Sequence, residues 1–153
     1  MRVVIQRVTS ASVDIDGARK SQIGRGLLVL LGVEDRDTDE DIDYLCRKIT
    51  AMRIFDDADG VMNMPITDFP DAGILVVSQF TLMASTRKGN RPSYIHASKP
   101  DFAIPMYEKF CGVMSQMLGK PVQTGTFGAN MQVSLAGDGP VTIIMDSHLR
   151  ESF

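Results

Sequence analysis

Leu27-Leu28-Val29-Leu30-Leu31 is the tightest constraint on how this chain folds, because it is continuously apolar and too short for an ordinary helix. Such a run fits a strand buried on both faces. The flanking sequence supplies the partners. Met1 to Val8 and Ala11 to Ile15 read as strands, and Asp16-Gly17 as a hairpin turn into a third strand at Arg19 to Ile23, so a β-meander opens the chain. After the apolar run, Thr38 can cap a helix whose first turn holds Asp39, Glu40 and Asp41, carboxylates that favour a helix N-terminus. Ile42, Leu45, Cys46, Ile49 and Met52 then form one apolar stripe.

Asp56 to Gly60 reads as a turn, followed by an irregular stretch to Ala72 and a strand at Ile74 to Leu82. A second helix is expected from about Asp101 to Leu118, with Phe102, Met106, Tyr107, Phe110, Met114 and Met117 on its apolar face and Gly119 and Pro121 marking its end. Strands near Val122 to Thr126 and Met131 to Ala136 lead through Gly137-Asp138-Gly139-Pro140 to a last strand at Val141 to Met145. Mostly β with two helices gives an α+β architecture, sheets plus a helical layer. With 153 residues and no linker or repeat, one domain over 1–153 is expected. No apolar run approaches the ~20 residues of a membrane helix, charge interrupts the N-terminus too early for a signal peptide, and Cys46 and Cys111 are far apart. A cytoplasmic protein with two buried, inert thiols is the expectation, without a membrane partner.

A net charge of −3 argues against binding along many phosphates, but seven carboxylates and one arginine between Glu34 and Asp43 concentrate the acidity in one segment. The remainder is net basic, most obviously at Arg87-Lys88-Gly89-Asn90-Arg91, which permits recognition of one RNA end. The common catalytic signatures fail. His96 and His148 stand alone in sequence, without the clustered ligands zinc needs, so no metal and no cofactor is expected. The turn at Asp56 has Phe55 and Ile66 where a calcium loop needs oxygen ligands. Gly119-Lys120 precedes Pro121 instead of Ser or Thr, and Ser78 has Val76 and Phe80 where a nucleophile elbow has glycines.

Three stretches remain. Ser78-Gln79-Phe80-Thr81-Leu82 ends an apolar strand with hydroxyls, an amide and backbone N–H groups that can face a ligand, although strand alternation also accounts for Ser78 and Thr81. Lys88 to Tyr94 is a basic loop ending in an aromatic, suited to a phosphate or an unstacked base, as solvated loops also are. Gly139-Pro140 stands between two expected strands, where proline removes a ladder donor and must shape a turn or an edge.

Together these stretches resemble the D-aminoacyl-tRNA deacylase family, and the match runs over essentially the whole chain. The family's opening Met-Arg-x-Val-x-Gln-Arg-Val stands at Met1 to Val8, its Ser-Gln-Phe-Thr-Leu at Ser78 to Leu82 and its Lys-Gly-x-Arg-Pro-Ser at Lys88 to Ser93. Phe127-Gly128-Ala129-Asn130-Met131 and Asp138-Gly139-Pro140-Val141-Thr142 match its closing motifs, with Asn130 in place of the usual Asp and Gly137 in place of the usual Asn.

The resemblance implies a layered β-β-α sandwich of mostly antiparallel sheets with two main helices, assembled as a homodimer with two interface sites. Each site would pair Ser78, Gln79, Phe80 and Thr81 of one subunit with a cis Gly139-Pro140 of the other, held by Arg7, with Met131 in the substrate-binding set. A rigid backbone wall beside the substrate α-carbon would exclude an L side chain and admit D-aminoacyl or glycyl esters. The partner would be the acceptor 3′ end of aminoacyl-tRNA, with Arg87, Lys88, Arg91 and Tyr94 as RNA contacts. The expected mechanism is hydrolysis assisted by the tRNA 2′-hydroxyl, with backbone N–H groups of Phe80 and Thr81 stabilising the oxyanion. Thr81 as a covalent nucleophile is the alternative. A nucleic-acid or protein-binding module without turnover is the other reading.

Overall fold

A computed structural model describes residues 1–151, and one long strand organises it. β1 (Arg2–Ile15) runs unbroken through the two strands that the sequence separates at Thr9-Ser10. It stays continuous because β8 (Gln132–Asp146) pairs antiparallel with it from Arg2 opposite Asp146 to Asp14 opposite Gln132. The other edge of β1 is shared. Its first half pairs with β3 (Gly26–Gly32) and its second half with β2 (Ala18–Ile23), both antiparallel. The β1–β2 turn is the expected hairpin, with positive φ at both Asp16 (51°) and Gly17 (77°).

β6 (Gly73–Ser78) pairs with β3, and β7 (Gln123–Thr124) with β6, both in parallel, so the sheet is mixed. Parallel neighbours need crossovers. α1 (Asp39–Ala51) and the hairpin β4 (Phe55–Asp56)–β5 (Met62–Met64) lie between β3 and β6, and α2 (Pro100–Leu118) lies between β6 and β7. The sheet curls until its two ends nearly meet, where Ser21 on β2 donates through Oγ to the Thr124 carbonyl of β7 at 2.7 Å.

The apolar run in β3 is covered on both faces, as its composition requires. Leu27, Val29 and Leu31 join Val3, Ile5, Ile74 and Val76 against the buried stripes of α1 and α2. Leu28 faces the other way, with Val8, Ala11, Val13, Leu75 and Val77. α1 starts and α2 stops on local signals. The Asp41 carboxylate accepts from the backbone N–H of Thr38 at 2.8 Å, and Gly119, at φ 81°, caps α2 by donating to the Ser115 carbonyl at 3.0 Å. Phe102 and Met117 depart from expectation at 38% and 39% exposure, because the stripe that meets the sheet is Ala103, Met106, Tyr107, Phe110 and Met114. Among the described residues no helix is long and apolar enough to cross a membrane. Ser152 and Phe153, the end of the expected 1–153 domain, lie outside the described residues.

Candidate active site

The strand expected to reach Leu82 stops at Ser78. Gln79 makes one last contact with the sheet, donating its N–H to the Leu31 carbonyl at 2.7 Å, and then leaves strand geometry at φ −144°, ψ 81°. Phe80–Met83 forms a 3₁₀ turn instead. Its i→i+3 pattern begins with Leu82 N–H on the Gln79 carbonyl at 3.2 Å. The N–H groups of Phe80 and Thr81 precede that first bond, and among the described residues neither donates to a backbone carbonyl elsewhere. The Gln79 side-chain amide donates to Thr81 Oγ1.

Two contacts seat this turn. Gly32 on β3 lies beneath it so closely that a Cβ there would stand 3.1 Å from Leu82 Cβ and 3.2 Å from the Gln79 carbonyl oxygen. Arg2 on β1 donates through Nη1 to the Leu82 carbonyl at 2.7 Å, while its Nε and Nη2 lie 3.0 and 2.8 Å from Asp146 Oδ2. Sequence reasoning missed both residues, because neither belongs to the polar stretch they support.

Ser78, Gln79 and Phe80 line a pocket of about 260 Å³, closed by Phe127, Met131 and Val133. The structure therefore brings Met131 to the Ser78–Phe80 segment. Gly139 and Pro140 do not line the pocket of their own chain. They are exposed, on a part of β8 that the sequence divides into two strands around a turn and the fold keeps as one. The register breaks there. Gln6 pairs with Thr142 and Val8 with Gly137, so Asp138 to Val141 stand opposite Arg7 alone and bulge from the ladder. The Gly139-Pro140 peptide bond is cis.

Arg7 fills the space under the bulge and is buried. Its Nε donates to the Asp138 carbonyl at 3.2 Å and lies 3.2 Å from Asp138 Oδ2. Its Nη1 donates to the Ile54 carbonyl at 2.7 Å and to Asp56 Oδ1 at 3.2 Å. The arginine thus ties the bulge to the β4–β5 hairpin, a partner that sequence spacing does not indicate.

Arg87, Lys88 and Arg91 lie exposed on a loop whose base is closed by reciprocal backbone bonds between Ser85 and Ser93, at 2.7 and 2.9 Å. Tyr94 follows the loop and meets Phe80 edge to face, with ring centroids 5.1 Å apart. That contact joins the basic loop to the Ser78–Thr81 segment.

His148 is not isolated in the fold. Its Nε2 lies 2.8 Å from Asp37 Oδ1 and 3.8 Å from Glu34 Oε1, and its Nδ1 3.7 Å from Asp41 Oδ1, because β8 ends beside the loop before α1. These are metal-type donors, but the amino group of Met1 occupies the same cluster, paired with Asp37 and bonded to Ser147 Oγ at 3.0 Å. The ammonium brings one positive charge into the cluster. Neither thiol is poised for attack, since burial raises Cys46 far above its ordinary value and pushes the half-buried Cys111 up to about 11.

A family model described as D-Tyr-tRNA(Tyr) deacylase matches residues 4–146. A D-aminoacyl-tRNA deacylase of Parabacteroides distasonis is 64% identical over 99% of this chain and 100% of its own. One of Porphyromonas gingivalis is 62% identical with the same coverage. Among solved structures, a c-Myc DNA Unwinding Element Binding Protein superposes with a TM-score of 0.89 at 39% identity, over 95% of this chain and 98% of its own. A probable eukaryotic D-amino acid tRNA deacylase shares the fold with a TM-score of 0.80 at 22% identity, over 94% of this chain and 97% of its own.

Proposed function

The chain belongs to the D-Tyr-tRNA(Tyr) deacylase family, and from that membership we propose that it is a D-aminoacyl-tRNA deacylase, a hydrolase acting on the ester between a D-amino acid and the terminal ribose of tRNA. The observation that carries the chemistry is the pair of backbone N–H groups at Phe80 and Thr81, left outside the 3₁₀ pattern where the pocket wall ends. Such donors stabilise a tetrahedral oxyanion. Ser78 and Gln79 orient the terminal adenosine, and the neighbouring 2′-hydroxyl of the substrate positions or activates the attacking water. A covalent role for Thr81 has less support. Its hydroxyl accepts from the Gln79 amide, and among the described residues no His, Lys or carboxylate is hydrogen-bonded to it.

Chiral selection then falls to a second copy of the chain. Gly139 and Pro140 are exposed and absent from their own pocket, and Arg7 braces the bulge that presents them. β8 also exposes Val133, Leu135 and Ile144, apolar residues suited to a subunit interface. Docked symmetrically, each protomer places its Gly139-Pro140 backbone beside the other's substrate α-carbon, leaving room for hydrogen but not for an L side chain. Glycyl esters pass the same filter. Arg87, Lys88, Arg91 and Tyr94 receive the RNA end.

The c-Myc DNA Unwinding Element Binding Protein likeness favours a second reading, a nucleic-acid-binding module without turnover. One assay separates the two. D-tyrosyl-tRNA and L-tyrosyl-tRNA are offered with and without a chelator, and the hydrolase releases amino acid from the D ester alone in both conditions. Binding without release supports the module, and equal cleavage of both esters removes the steric filter.

A further inference from the structure

A second cleft lies apart from the pocket of Ser78 to Phe80. It lies at the far end of the same 3₁₀ turn, encloses about 540 Å³, and runs from Met83 and the base of the basic loop to the loop before α1. Its charged lining is Arg2, Arg36 and Arg87 against Glu34 and Asp146, with His96 beside them. Arg2 is spent on Asp146 and the Leu82 carbonyl, and Arg36 pairs with Glu34 through Nε at 3.1 Å and Nη2 at 3.2 Å while its side chain stays 63% exposed. Arg87 has no carboxylate within ion-pair distance among the described residues. With both carboxylates already paired, the cleft retains an unbalanced positive charge.

We infer that this cleft is a phosphate subsite, in which Arg87 and the exposed Arg36 hold the backbone of the unpaired RNA segment just before the terminal nucleotide. This rests on the hydrolase reading, which puts the terminal nucleoside in the pocket at the start of the turn. The position then follows from reach. A four-residue 3₁₀ turn spans about 8 Å, or about two nucleotides at the ~3.4 Å rise of a stacked strand. A chain whose end sits at Phe80 and that runs along the turn therefore reaches Met83 and the cleft. Guanidinium groups suit phosphate oxygens, and contacts of this kind fix position without reading sequence. The paired Ser85–Ser93 base holds Arg87 at the rim.

The test compares wild type with Arg87→Ala and with the double variant Arg36→Ala/Arg87→Ala, on D-tyrosyl-tRNA and on D-tyrosyl-adenosine, across a salt series. Both side chains are solvent-facing, so the fold is retained. On tRNA, kcat/KM falls about tenfold per arginine, through KM. The salt slope becomes shallower by ~0.7 per lost contact. D-tyrosyl-adenosine, which has no internucleotide phosphate, is affected less, so the ratio of the two kcat/KM values drops. An unchanged ratio together with an unchanged salt slope overturns the subsite. Binding of uncharged tRNA, measured in parallel, weakens in the same order. If wild type cleaves neither ester, the hydrolase reading fails, and the binding series still decides the cleft.

Discussion

Arg7 and Asp138 meet where the pairing of β1 with β8 breaks, the guanidinium Nε donating to the Asp138 carbonyl at 3.2 Å from beneath four residues that have no other partner on β1. The contact makes an exposed main-chain bulge an extension of the buried sheet. The proposed Gly139-Pro140 wedge must be rigid to discriminate by shape, and this bond stiffens the bulge that carries it.

Arg7→Met leaves the Ile54 and Asp138 carbonyls without their donor and places an apolar group near Asp56. Loss of these buried bonds costs roughly 2–4 kcal/mol. Chemical denaturation reads the stability. Paired rates on D- and L-tyrosyl-tRNA read the wedge, and the preference for D narrows as the bulge loosens. Undiminished discrimination in a folded variant would separate Arg7 from chiral selection.

Gly32→Ala tests the seat of the 3₁₀ turn. The added methyl meets Leu82 Cβ at 3.1 Å and the Gln79 carbonyl at 3.2 Å, so the turn must give slightly. Overpacking of this kind costs ~1–3 kcal/mol. With the Phe80 and Thr81 N–H groups in the proposed oxyanion role, a full ~1 Å displacement costs about a hundredfold in kcat, and this smaller shift lowers kcat by less. Turnover at the wild-type rate by the variant would show that the position of the turn does not govern the reaction.

Thr81→Ala removes the hydroxyl and keeps the backbone N–H. Hydrolysis through the 2′-hydroxyl predicts kcat within about tenfold of wild type, the loss coming from the Gln79 amide left without its acceptor. A collapse of turnover in a protein of normal stability points to a covalent threonine, and a trapped acyl-enzyme in a quench experiment would establish it.

Acid stability should depend on Asp146. Burial works to raise its pKa, but the His148 backbone N–H and the Arg2 guanidinium outweigh it and hold the carboxyl below its ordinary value of 3.8. A lowered folded-state pKa stabilises the fold above the unfolded value, and that contribution fades as pH falls through the folded one. Asp146→Asn is therefore less stable than wild type near neutrality, and the gap between them closes below about pH 4. Unfolding midpoints at a series of pH values check this, and a gap that stays constant into acid would assign the loss to something other than the charge.

Signals confined to neighbouring residues were legible in the sequence. Asp16-Gly17 specifies a hairpin because both residues tolerate positive φ, Thr38 and Asp41 start α1 by satisfying each other's polar groups, Gly119 ends α2, and the run Leu27 to Leu31 demands cover on both faces. The motifs at Ser78 to Leu82 and around Gly139-Pro140, on which the proposed chemistry rests, were legible in the same way. Tertiary structure alone decided that β1 and β8 run unbroken, that β6 lies parallel to β3, and that the segment after Ser78 turns instead of continuing as strand. It also decided that Arg7 lies under the bulge, that His148 joins Asp37 and Glu34, and that Arg36 and Arg87 line one cleft. The division has a physical cause. Turns and caps are settled by bonds within a few residues, whereas strand neighbours and the partners of a buried guanidinium are chosen by packing between segments as far apart as Arg7 and Asp138, and no local pattern encodes that choice.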